Sequence, residues 1–212
     1  MKRTLAFAAS LLLLGACSSD GYTIRGKIAG LDNPYVYLLR YTGEVEVIDS
    51  AKVTKGDFVF KGKAEQPEVV YLSTDKQQPF VHFFLENGRI SVDGALSAPA
   101  DIAVLGTPSN DIQRAFDEKI AALEEEFAKA GNDVQRDSLR KEYSKLMSDA
   151  VEMNRDNIYG VTTFLNNAYA FLSPEEVMGQ IALFPAEWQQ RRELTELREA
   201  TERKLRVSAG HP

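Results

Sequence analysis

The chain is poor in the residues that carry redox, metal and nucleophilic chemistry. It has one cysteine, two histidines and one tryptophan. A single cysteine, Cys17, excludes an intramolecular disulfide, a Cys-x-x-Cys redox pair and a thiolate metal cluster. The histidines, His82 and His211, stand far apart, and no His-x-x-x-His, acidic loop or His/Glu cluster with metal-ligand spacing occurs. Glycine-rich phosphate loops are absent as well. The expectation is therefore no metal and no cofactor. Basic residues are also in deficit, 25 Lys and Arg against 31 Asp and Glu, a net charge of −6. Nucleic-acid binding needs clustered Lys and Arg, so nucleic acid is excluded as a partner. The one long apolar run, Leu5 to Leu14, falls short of the roughly 20 residues that span a bilayer.

What is present is ordinary globular material. The 212 residues are 44% hydrophobic and 26% charged, enough for one large domain or two small ones. The apolar run follows Lys2 and Arg3 and closes in Leu14-Gly15-Ala16-Cys17. A basic start, a short apolar core and small residues before a cleavage point make a secretory signal over residues 1–16. The cysteine just after the small pair resembles a bacterial lipobox, which implies acylation of Cys17 and a membrane as partner through that lipid. Ser18 rather than aspartate after Cys17 resembles an outer-membrane sorting signal. The expected location is thus the cell envelope, on the outer membrane facing the periplasm. An exported chain without disulfides depends on its core for stability.

After a polar tether (residues 17–21), the pattern turns to period two. Strands are expected from Tyr22, then at residues 35–41, 45–53, 58–61, 69–73, 80–85, 89–92 and 102–105, separated by Gly, Pro, Asn and Asp turns. Asn87-Gly88 predicts a hairpin between the strands that flank it. Period two puts Tyr35, Tyr37, Leu39 and Tyr41 on one strand face and Val36, Leu38 and Arg40 on the other. Short strands at this spacing predict an antiparallel β-sandwich-like module over residues 22–106.

From Gly106 the period lengthens to that of a helix. Thr107-Pro108 starts one, with Ile112, Phe116, Ile120, Leu123 and Phe127 as its stripe and Gly131-Asn132 as a left-handed stop. A second begins near Asp133, with Leu139, Tyr143, Leu146, Ala150 and Met153 inward, so the two form an antiparallel hairpin. A third is expected over residues 161–171. Ser173-Pro174-Glu175-Glu176 is a capping box for a fourth, which Pro185 interrupts. Residues 187–205 make a last charged helix with Trp188, Leu194, Leu197 and Leu205 on one side. The fold class is α+β: the sandwich-like module, a helical region over 107–207, and a tail over 208–212.

Residues 49–62, Gly26-Lys27-Ile28, Phe84-Leu85-Glu86-Asn87-Gly88 and residues 106–111 are similar to the signature of the domain of unknown function 4369 family. The helices ending in Ser173-Pro174-Glu175-Glu176 also resemble members of that family. The resemblance implies a β-rich module followed by helices, in envelope lipoproteins of diderm bacteria. It further implies that this region precedes a thioredoxin-like domain in many relatives, a domain that would begin about where residues 208–212 stand.

Catalytic readings of single residues are weak. Ser50 beside Asp49 needs a positioned base, and His82 sits in an apolar strand. Neighbouring glutamates such as Glu124-Glu125-Glu126 point about 100° apart on a helix and form no acid–base pair by themselves. The chain is therefore not expected to be an enzyme. Three roles remain. The first is a non-catalytic, lipid-anchored envelope protein that binds another envelope protein or self-associates as an oligomer. The second is an accessory to a thioredoxin-like partner, which the family resemblance alone implies. The third is a carbohydrate or peptide binder using Tyr35, Tyr37 and Tyr41, should that face escape the core.

Overall fold

A computed structural model describes residues 20–169 and 172–208. The signal segment, Cys17, Phe171 and His211 lie outside the described residues. The α+β architecture is as expected: eight strands in two four-stranded sheets, then helices. The strands are β1 (Tyr22–Ala29), β2 (Tyr35–Tyr41), β3 (Val45–Lys52), β4 (Asp57–Gly62), β5 (Glu68–Ser73), β6 (Pro79–Leu85), β7 (Gly88–Ala95) and β8 (Ala103–Leu105). The first sheet runs β4-β1-β7-β8 and the second β3-β2-β5-β6. Their inner faces close a core around Ile24, Phe60 and Ile90 on one side and Val36, Leu72 and Phe83 on the other. Alternation produces this directly, since each strand commits every second residue inward.

Two expectations about the strands are corrected. Asn87-Gly88 makes no hairpin, because β6 and β7 belong to different sheets. Gly88 takes φ +151°, and the Asn87 side chain instead bonds both the N–H and the C=O of Ala64, at 2.9 and 2.8 Å. The turn therefore carries the chain across the sandwich. Nor is the module wholly antiparallel: β1 pairs in parallel with β7, Ile24 opposite Ile90. A parallel neighbour needs a long crossover, and residues 30–87, which build the second sheet and strand β4 of the first, supply it.

The helices are α1 (Pro108–Lys129), α2 (Asp133–Glu152), α3 (Ile158–Thr163), α4 (Pro174–Ala182), α5 (Ala186–Gln189) and α6 (Arg192–Ser208). A π-helical segment, Phe164–Ala168, continues α3. Helices α1 and α2 form the expected hairpin, but Gly131 does not stop α1 in a left-handed conformation. The chain leaves α1 at Ala130 in an extended conformation, and the Asn132 side chain caps α2 by accepting from Gln135 N–H. Met153 is 73% exposed rather than inward, because α2 ends there. Asn154 then turns in to donate to Ala150 C=O, and Asn157 caps α3 at Gly160. Those caps start the third helix at Ile158, earlier than the apolar pattern indicates. The expected last helix is broken at residues 190–191, leaving Trp188 on the short α5. The Ser173–Glu176 capping box forms with both of its bonds.

The helices bury their own core around Val161, Phe164, Ile181 and Leu194. A second cluster joins them to the sandwich. Phe84, on the outer face of the second sheet, meets the Tyr159 ring edge-on at 6.1 Å, and Tyr159 stacks on Phe116 at 5.5 Å. The joint is also hydrogen-bonded: Glu86 accepts from the Ser109 hydroxyl and N–H, and Arg191 donates to Pro67 C=O at 2.9 Å. The helices thus cover the outer face of the second sheet on its β5–β6 side.

Candidate functional site

The β2–β3 half of that same outer face carries the candidate site. Val36 and Leu38 of β2 go into the sandwich, so Tyr35, Tyr37, Leu39 and Tyr41 face outward. Register adds their neighbours from β3: Lys52 beside Tyr35, Ser50 beside Tyr37, Val47 beside Leu39 and Val45 beside Tyr41. On the other flank, β5 puts Ser73 beside Tyr37 and Tyr71 beside Leu39. A bulge in β3 keeps this register. Leu38 pairs with Asp49 but Leu39 with Val47, so Ile48 is the extra residue and turns toward the core.

Of the expected ligand-binding residues, Tyr35 is 47% and Tyr41 40% exposed, with Val45 at 45% and Val47 at 43%. Tyr37 is half-buried, and Leu39 is fully buried among its larger neighbours. The tyrosine face is therefore not sandwich core. Tyr41 packs edge-on against Tyr71 with centroids 4.7 Å apart, and Tyr71 lies 6.0 Å from the His82 ring. Burial, followed by the neighbouring Tyr41, raises the Tyr71 phenol above its ordinary range.

The loop after β5 borders this surface and is fixed by its own side chains. Asp75 Oδ1 accepts from Gln77 N–H at 2.9 Å, Gln78 N–H at 2.8 Å and the Ser73 hydroxyl at 2.9 Å. Those backbone N–H groups, first that of Gln78 and then that of Gln77, hold the Asp75 carboxyl below the usual carboxylate range. The bonding puts Lys76 at φ +66°, a left-handed conformation uncommon outside glycine. Its ammonium rests 4.7 Å above the Tyr37 ring centroid, and the Tyr41 hydroxyl donates to Gln77 C=O at 3.4 Å. Lys52 and Lys76 escaped sequence reading. Lys52 was legible from its register with Tyr35, whereas Lys76 depends on a loop conformation that no periodicity announces.

Other candidate residues are dispersed. Ser50 is exposed on β3, His82 on β6, at opposite edges of the second sheet. Asp49 accepts from the Ser50 N–H at 2.7 Å, a local backbone role. Glu176 serves the capping box, and Glu124, Glu125 and Glu126 are exposed on α1. Among the described residues no group of three or more His, Cys, Asp or Glu side chains could hold a metal ion. Two cavities lie elsewhere. One of about 750 Å³ opens in the helical region against Leu123, Phe127, Tyr143 and Met147. Another of about 440 Å³ lies between β6 and α1, lined by His82, Gln113, Arg114 and Asp117. No described helix is long and apolar enough to cross a membrane.

Residues 22–113 match the family model described as a domain of unknown function (DUF4369). The match takes in all eight strands and the first turns of α1, and the helices beyond residue 113 lie outside it. No curated protein matches the chain.

Proposed function

We propose that this chain, which carries a DUF4369 domain across residues 22–113, is a non-catalytic envelope protein that docks another protein on the uncovered half of its second sheet. Its location in this reading is the periplasmic side of the outer membrane, held by lipid on Cys17. The observation that carries the docking role is the exposure, each at 40% or more, of Tyr35, Tyr41, Val45 and Val47 on one sheet face, with Tyr37 and Leu39 between Tyr35 and Tyr41. Contiguous apolar surface rimmed by polar groups marks interaction sites on proteins of this kind. Tyrosine is also among the residues that dominate interface energetics.

The test is purification of the full chain from envelope membranes with whatever co-purifies. Tyr35→Ala/Tyr41→Ala should release a bound protein that a Val134→Ala control retains; Val134 is 81% exposed on α2, away from the sheet. Truncating two interface tyrosines typically costs about 2–4 kcal/mol, or roughly 30- to 1,000-fold in affinity. Equal recovery from both variants would remove the docking reading. The anchor is tested separately. Cys17→Ser should shift the protein from the membrane pellet to the soluble fraction, since stable attachment depends on the acyl chains. Persistence in the pellet would contradict lipidation.

A further inference from the structure

Taking the docking face as given, we infer that what it receives is an acidic, extended segment of a different protein rather than a second copy of this chain. The charge on the face runs against that of the whole. The chain carries a net −6, yet none of the strand positions that share the face is a carboxylate, and two lysines flank it. Lys52 stands beside Tyr35 in register, and Lys76 lies over the Tyr37 ring. Neither forms an ion pair among the described residues, where Arg40, on the opposite face of β2, is paired with Glu46 at 3.0 Å and with Glu68 at 3.1 Å. Asp75, beside Lys76 in sequence, is committed to three donors of its own loop.

The placement of Lys76 is enforced, not incidental. A left-handed non-glycine residue is strained and persists only where its surroundings dictate it. The Ser73–Gln78 bonding does so here, and it holds a cation against the aromatic surface in advance of any ligand. Twofold pairing of this face with itself would bring four cations together, with only the two Asp75 carboxylates near them, each already bonded within its own loop, and unpaired charge in an interface is costly. A segment with carboxylates would pair with both lysines, and complementary charge of this kind also speeds encounter. Tyr35 and Tyr37 sit two residues apart on one strand, about 7 Å by strand geometry, which is also the side-chain repeat of an extended peptide. Side chains two residues apart on such a peptide point to the same side, so an apolar one can rest on Tyr35 while a carboxylate two positions on reaches Lys76 over Tyr37.

The probe is a fluorescein-labelled synthetic peptide repeating Leu-Ser-Glu-Ser, which puts Leu and Glu on the same side of an extended chain, with a counterpart carrying Lys in place of Glu, titrated against the detergent-solubilised full chain by fluorescence anisotropy. The acidic peptide should bind, the basic one should not, and added salt should weaken the acidic complex. Lys52→Gln/Lys76→Gln should weaken it by about five- to tenfold with an unchanged melting temperature. Lys52→Glu/Lys76→Glu should exchange the preference and recruit the basic peptide. Absence of acidic-peptide binding, or equal binding of both peptides, overturns the inference. Binding lost in Tyr35→Ala/Tyr41→Ala but indifferent to both lysine pairs removes the charge requirement and leaves the docking face standing. Indifference to the tyrosines as well removes both. A dimer in light scattering that Tyr35→Ala/Tyr41→Ala dissociates would equally overturn the choice of a foreign partner.

Discussion

Replacing Asn110 with alanine should destabilise the protein by about 2–4 kcal/mol. Asn110 is 2% exposed and sits in the first turn of α1, yet its amide acts on the sandwich. Its Oδ1 accepts from Phe84 N–H at 2.9 Å, and its Nδ2 donates to Phe84 C=O at 2.8 Å and to the Thr107 hydroxyl at 2.7 Å. Strand β6 is the edge of the second sheet, so Phe84 has no backbone neighbour on that side. One side chain satisfies both of its main-chain groups and fixes α1 against the sheet. Alanine leaves a buried N–H and C=O without partners, each costing about 1–3 kcal/mol. Asn110→Asp should not rescue, because it keeps the acceptor and loses the donor to Phe84 C=O. Urea unfolding should show a lower midpoint at unchanged slope. A loss under about 1 kcal/mol would mean that the apolar cluster and the Glu86–Ser109 bonds hold α1 to the sandwich without Asn110.

Gly160→Ala should cost a similar amount, about 2–4 kcal/mol, for a steric reason. A Cβ at Gly160 would overlap the carbonyl oxygen of Asn154. That carbonyl belongs to the corner between α2 and α3, which is held by Asn154 on Ala150 and by Asn157 on Gly160. Backbone so fixed cannot move aside as a flexible side chain would. The displaced helix carries Ile158 and Tyr159 into the joint with the sheet and Val161 into the helical core, so both clusters are disturbed. Gly179→Ala is the contrast. It lies within α4 with open space around it, and alanine there should add about 0.5–1 kcal/mol through helix propensity. Thermal melts of the two variants should therefore move in opposite directions.

These two positions also show how far the sequence could be read. Strand and helix positions were largely legible, because Ile24 to Ile28 and Phe58 to Phe60 announce period two and Ile112 to Phe116 a helical stripe. Pairing was not. Asn87-Gly88 carries the composition of a hairpin, yet Asn87 bonds Ala64, a partner distant in sequence. Local composition cannot reveal which sheet a strand joins, so the parallel β1–β7 pair was also hidden. The cap at Asn157 moves the start of the third helix because a side-chain bond, not the apolar period, sets where that helix begins. For the docking face, alternation gave the grouping of Tyr35, Tyr37 and Tyr41. Which face of the second sheet the helices would cover, and how far across it they reach, depends on the Phe84–Tyr159–Phe116 packing, which no strand pattern contains.

The uncovered half of the second sheet should meet a protein in the envelope. A photo-crosslinking amino acid placed at Tyr35 tests this in the living cell, against the same residue placed at Val134 on α2. The prediction is one discrete adduct from position 35, absent from position 134 and lost when Lys52 and Lys76 are reversed to glutamate. Adducts of equal yield from both positions, or none from position 35 while position 134 captures a protein, would contradict it.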